Sequence, residues 1–170
     1  EDASHAIGGK YHDKPIGCCD YSDITVFSFH PVKIITSGEG GAALTNSGEL
    51  DQKLKLLRSH GITRDPTQMQ YPKDEAWYYE QIDLGFNYRM TDIHAALGLS
   101  QLTRIDEYIE RRHEIAVRYD QEFDGANIQK PHRNPINKSA LHLYVIQVEP
   151  TQHRRIFRKL RENGIGVNLH

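Results

Sequence analysis

The chain has 170 residues, 21 Lys and Arg against 23 Asp and Glu, only two cysteines, and a mean hydropathy of −0.65. A net charge near zero with no basic block argues against nucleic acid or an anionic membrane as partner, and no apolar run is long enough to cross a bilayer. The two cysteines, Cys18 and Cys19, are adjacent, which suits neither a disulfide framework nor the C-x-x-C spacing of zinc and redox sites, so a reducing cytoplasm is the natural setting.

In chain order, the first six residues, Glu1 to Ala6, have no initiating Met, basic region or apolar region of a signal peptide. Asp23 to Phe29, rich in β-branched and aromatic residues, reads as a buried strand stopped near His30-Pro31. After the glycine cluster Gly38 to Gly41, a short strand runs about Ala42 to Thr45. Asn46 or Ser47 then caps a helix reaching about Ser59, with Glu49 placed for a capping box and Gly61 closing it. From Arg64 to Gln81, with Pro66, Pro72 and the group Trp77-Tyr78-Tyr79, no period survives, which predicts a long structured loop.

Thr91 is placed to cap a helix carrying Ile93, Ala96 and Leu97, followed by a second from about Ile105 to Phe123 whose solvent side pairs Glu with Arg. Asp124 to Lys138 reads as a linker broken by Pro131 and Pro135. Beyond it, His142 to Val148 alternates like a half-buried strand, Thr151 is placed to cap a basic helix ending near Asn163, and Gly164 to Leu169 begins another strand. Alternating strands and helices indicate an α/β organisation, with residues 1–128 forming one unit and 129–170 beginning a smaller one. Both ends read as cuts within a longer chain.

Lys33 has the placement of a reactive residue. It lies just past an apolar strand and before a glycine-rich turn, so its amine falls at the carboxyl edge of a sheet, where α/β proteins hold ligands. An amine partly stripped of water there can attack a carbonyl carbon and form a Schiff base. Asp2 and His5 share an earlier turn, although Asp2 or Ser4 could equally cap a helix. Ten histidines raise the question of a metal, but none forms an H-x-x-x-H pair with a third ligand suitably spaced, so no metal is expected.

Three segments in order, Glu1-Asp2-Ala3-Ser4-His5-Ala6-Ile7-Gly8-Gly9, Phe27-Ser28-Phe29-His30-Pro31-Val32-Lys33 and Gly38 to Asn46, resemble the DegT/DnrJ/EryC1/StrS family of nucleotide-sugar aminotransferases, which use pyridoxal 5'-phosphate (PLP). Gly85-Phe86-Asn87-Tyr88-Arg89-Met90-Thr91-Asp92 resembles the family's next signature, and Gly164 to His170 a later one. The resemblance implies an aspartate aminotransferase-like, fold type I transferase, with 1–128 the C-terminal part of the PLP-binding large domain and 129–170 the start of the small domain. It further implies that Lys33 is catalytic and carries PLP as a Schiff base. Asp2 would pair with the pyridine nitrogen, His5 would lie near the 3′ oxygen, and Ser28 would bind the phosphate. Asn87 would reach the cofactor of a neighbouring subunit and Arg89 the carboxylate of the amino donor, so a homodimer with shared active sites is expected.

Relatives that dehydrate sugars have His where this chain has Lys33. The wording around Lys33 and after Met90 resembles the branch that aminates UDP-linked 4-keto-6-deoxy-hexosamines for pseudaminic acid and related surface glycans. Glutamate would then be the amino donor and the nucleotide-linked keto-sugar the acceptor. The alternative reading is a truncated, catalytically silent interaction or structural remnant that keeps the site residues. His170 would face the substrate by the same analogy.

Overall fold

The computed structural model describes residues 1–71 and 75–169, so Pro72 and His170 lie outside the described residues. Backbone pairing starts at once: the Ala3 N–H donates to Val26 O and the Val26 N–H to Glu1 O, each at 2.9 Å, which forms a parallel bridge between Asp2 and Val26. A hairpin that composition does not announce follows. Its strands β1 (Lys10–Tyr11) and β2 (Lys14–Pro15) pair Lys10 with Pro15 and Tyr11 with Lys14. The two-residue turn has positive φ at His12 (46°) and Asp13 (62°), the backbone sign of a type I′ turn. His-Asp is not a composition that signals it.

The expected apolar strand is β3 (Thr25–Ser28), and it pairs antiparallel with β4 (Gly41–Leu44). Thr25 and Phe27 are buried while Val26 is 44% exposed, so β3 is buried on one face, not on both as the sequence suggested. Helix α1 (Gly48–Leu57) is capped by Ser47, whose Oγ accepts the Leu50 N–H. With Ser47 as the cap, the third helical residue is Leu50, so Glu49 falls one position short of a capping box and serves only as a first-turn anion. Within the expected loop, β6 (Glu80–Gln81) returns to pair with β5 (Ile62–Thr63).

Helix α2 (Asp92–Leu102) begins where Thr91 Oγ1 accepts the His94 N–H, and after a break at Thr103 and Arg104 the chain continues as α3 (Ile105–Glu122). The α3 residue Ile109 forms a core cluster with Ile34 and Ala140, joined by Ile7 and Ile105. Gly8 makes this possible: its φ is +79°, and a Cβ there would collide with the Ile109 side chain. Strand β7 (Asn137–Lys138) adds to β1, so that a three-stranded sheet runs β2-β1-β7 and brings the segment before Ala140 onto the first part of the chain.

Three expectations near the C-terminal end are corrected. His142 to Val148 keeps the burial alternation of a strand but forms no ladder, because its only bridge among the described residues joins Gln147 to Gln129. Helix α4 (His153–Glu162) starts after Gln152 in place of Thr151, without a side-chain cap bond. Residues 165–169 follow the turn residue Gly164, at φ +79°, without strand pairing, and the Val167 N–H turns back to Ile165 O at 2.9 Å. A period of two records which side chains are covered, whereas a strand also requires a neighbour with free N–H and C=O groups in register. Among the described residues, no helix is long and apolar enough to cross a membrane.

Candidate functional site

The parallel pairing of residues 1–3 with β3 sets Asp2 beside a strand whose last residue is Ser28. Asp2 Oδ1 accepts the Ser4 N–H at 3.0 Å and the Ser4 hydroxyl at 2.6 Å. This arrangement is an Asx-turn. Those two bonds hold the Asp2 carboxyl below the usual carboxylate range against an opposing effect of desolvation, and weaker charge interactions with His5 and Lys33 act in the lowering direction. Ser4 was missed as a site residue, although the D-x-S spacing is a local signal for this turn.

The Lys33 loop is pinned from both sides. Phe29 donates its N–H to Gly40 O, Ser37 N–H and Thr36 Oγ1 both donate to Phe29 O, and Lys33 N–H donates to His30 O at 2.9 Å. Ile34 and Ile35 are buried directly after Lys33, while Lys33 itself is half-exposed. The backbone is thus rooted in the core while the amine remains accessible. Ser28 Oγ accepts one long bond, 3.4 Å from His30 N–H, and its own O–H is donated to no described residue. A neutral donor remains available at the strand end.

Asn87 and Arg89 occupy a different edge. Their segment is stitched to the end of α1 by His60 N–H to Phe86 O at 2.8 Å and Tyr88 N–H to Arg58 O at 2.9 Å, with an antiparallel bridge between Ser59 and Asn87. Both side chains are exposed, and neither makes a hydrogen bond or ion pair with any described residue. No such link joins them to Asp2, His5, Ser28 or Lys33. Within one copy of the chain both side chains are exposed at the surface.

His5 contacts a residue that sequence reasoning passed over. Its ring lies against that of His142, with centroids 4.5 Å apart. A cavity of about 530 Å³ also touches His5 and is walled by the hairpin, Cys18 and Cys19, Tyr21 and residues 137–140. It includes none of Asp2, Ser28 and Lys33, so the chemically distinctive groups lie on an exposed sheet edge outside it.

The donor set suits a flat cationic heterocycle carrying phosphate. An ionised carboxylate is held ready by two hydrogen bonds, a hydroxyl is free to donate, and a primary amine stands near the carboxylate.

All 170 residues match the model of the DegT/DnrJ/EryC1/StrS aminotransferase family. The chain is 42% identical over 174 residues to the UDP-4-amino-4,6-dideoxy-N-acetyl-beta-L-altrosamine transaminase of Campylobacter jejuni, an alignment covering 100% of this chain and 43% of that protein. Among solved structures, the PLP form and the PMP form of Spr1654 from Streptococcus pneumoniae superpose with a TM-score of 0.86 at 34% identity, covering 99% of this chain and 42% of theirs. PseC of Helicobacter pylori, an aminotransferase involved in the biosynthesis of pseudoaminic acid, superposes with a TM-score of 0.84 at 36% identity, over 96% of this chain and 42% of its own. The chain thus spans less than half the length of these relatives.

Proposed function

The chain belongs to the DegT/DnrJ/EryC1/StrS aminotransferase family, and from that premise we propose that it carries the cofactor lysine of a PLP-dependent sugar-nucleotide transaminase. Its fold is that of the solved family members, α/β transferases of fold type I. In this reading residues 1–128 belong to the large domain and 129–170 open the small one. The amino group passes from glutamate to a nucleotide-linked keto-deoxy sugar, with a UDP-4-keto-6-deoxy-hexosamine as the acceptor, for surface glycan synthesis in the cytoplasm.

The observation that carries the reading is the Asp2 carboxylate, fixed by Ser4 and bridged to β3, the strand that leads into the Lys33 loop. PLP, when bound, supplies an electron sink conjugated to the reacting amine. Asp2, kept ionised by Ser4, would pair with the protonated ring nitrogen. His5 would lie near the ring's 3′ oxygen and Ser28 Oγ would donate to the phosphate. Lys33 Nζ would hold the cofactor covalently, and once released the same amine would carry the proton from the donor's Cα to the C4′ carbon of the cofactor. Asn87 and Arg89, standing free on another edge, serve the site of a second subunit, where a guanidinium fork matches the donor carboxylate. That arrangement requires a homodimer.

The test is spectroscopic. PLP added to the purified chain is expected to give an absorbance band near the visible edge that vanishes in Lys33→Ala, and glutamate is expected to convert it to the pyridoxamine form. A band unaffected by Lys33→Ala would overturn the role of Lys33. A band that ignores glutamate would favour the silent remnant.

A further inference from the structure

The core that roots Lys33 also delivers a second imidazole to the site. Ile34, next to Lys33, is buried with Ile109 of α3 and Ala140. Two residues past Ala140, the His142 ring meets the His5 ring, centroids 4.5 Å apart and planes inclined at 51°. Lys33 and His142 therefore extend from the same cluster.

The segment presenting His142 is fastened by α3. Arg112 donates from one guanidinium nitrogen to Leu141 O at 3.1 Å and His142 O at 3.2 Å, and the His113 ring bonds Ser139 O at 2.8 Å. Between these anchors Leu141 lies at φ +52°, and its N–H donates to Ser139 Oγ at 3.1 Å. A leucine is rarely left-handed, and such strain persists only where the surroundings over-determine it. The result of this fastening is the direction in which the next residue leaves the turn, which is toward His5.

We propose that His142 is a positioning residue: its ring packs on His5 and holds that imidazole in one orientation beside Asp2 and Lys33. The proposal rests on the reading of His5 as a cofactor contact. An exposed histidine otherwise samples several rotamers, each pointing its nitrogens differently, and a ring pair selects among them. The charged groups around the pair are Asp2 and Lys33 on the His5 side and Arg112 on the His142 side.

The experiment compares the wild-type chain with His142→Ala, His142→Phe, His5→Gln and the His5→Gln/His142→Ala double variant. Two readouts are taken: the His5 ring resonances in the cofactor-free chain, assigned by their loss in His5→Gln, and PLP affinity from the absorbance band. An aromatic pair is worth about 2- to 12-fold in an equilibrium. His142→Ala is therefore expected to move the His5 resonances toward those of a free histidine and weaken PLP by about that factor, with the band still abolished by Lys33→Ala. His142→Phe, which keeps a flat ring, restores both. The double variant binds no more weakly than His5→Gln, because His142 acts through His5.

Unchanged His5 resonances in His142→Ala would overturn the proposal, as would additive losses in the double variant or failure of Phe to rescue a chain whose circular dichroism is intact. A wild-type chain that never gives the band overturns the cofactor reading instead, and the His5 resonances still decide whether His142 holds the ring.

Discussion

Tyr144 ties the extended segment at 142–148 to the end of α3, and removing its hydroxyl should have a pH-dependent cost. The hydroxyl donates to Asp120 Oδ1 at 2.8 Å, Arg133 donates to the other carboxylate oxygen at 2.7 Å, and the Tyr144 ring meets those of Tyr119 and Phe123 at 5.1 and 6.3 Å. Burial first, and then the bond to and charge of Asp120, push the phenol from the ordinary 10.0 up to about 12, against a smaller lowering by Arg133. A folded-state value above the unfolded one means that folding favours the protonated phenol. The resulting stability is whole below pH 10, is about half gone near pH 11, and is lost above pH 12.

The gap corresponds to about 2.7 kcal/mol at most. Because roughly a third of the Asp120 and Arg133 side chains is exposed, we expect about 1–2 kcal/mol. Tyr144→Phe keeps the ring contacts and deletes only the hydroxyl, so urea unfolding should show it less stable by about that amount at pH 8. The difference from wild type should shrink by about half at pH 11. A difference that stays the same at both pH values would refute the assignment, as would a tyrosinate titration in which the variant lacks no late-titrating group.

Gly61→Ala is expected to destabilise by about 2 kcal/mol or more, since φ is +68° and a Cβ would strike Asp83 O; thermal unfolding measures it, and limited proteolysis should show the 83–89 segment, with Asn87 and Arg89, loosened from α1. Ser47→Ala removes the α1 cap and should cost about 1 kcal/mol in urea unfolding, with Ser47→Asp nearly neutral. Ser4→Ala should raise the Asp2 carboxyl back toward 3.8, read by carboxyl-carbon NMR. In the wild type, the Asp2 contribution is present above 3.8 and lost as pH falls through the lowered value, so this variant should flatten that acid limb.

Much of this molecule could be read from local sequence. The caps at Ser47 and Thr91, the break before Ile105, and the pairing of an apolar strand with a short one after the glycines all depend on hydrogen bonds or turns within a few residues. Lys33, Asp2 and His5 could be named as candidates for the same reason: each sits in a contiguous motif. The C-terminal strands were overcalled because alternation reports side-chain burial and says nothing of a backbone partner. The β1-β2 hairpin was missed because His12-Asp13 takes a backbone shape usually assigned to Asn-Gly.

Sequence alone therefore indicated the family, a candidate lysine and most helix boundaries, since these rest on short-range chemistry. Only the tertiary structure decided that Ile34, Ile109 and Ala140 form one core cluster and that His142 meets His5. Those facts depend on Gly8 letting Ile109 close on the chain and on β7 carrying Ala140 to the core beside Ile34. Packing between residues far apart in sequence leaves no periodic mark on either partner, because the geometry that joins them exists only after the chain has folded.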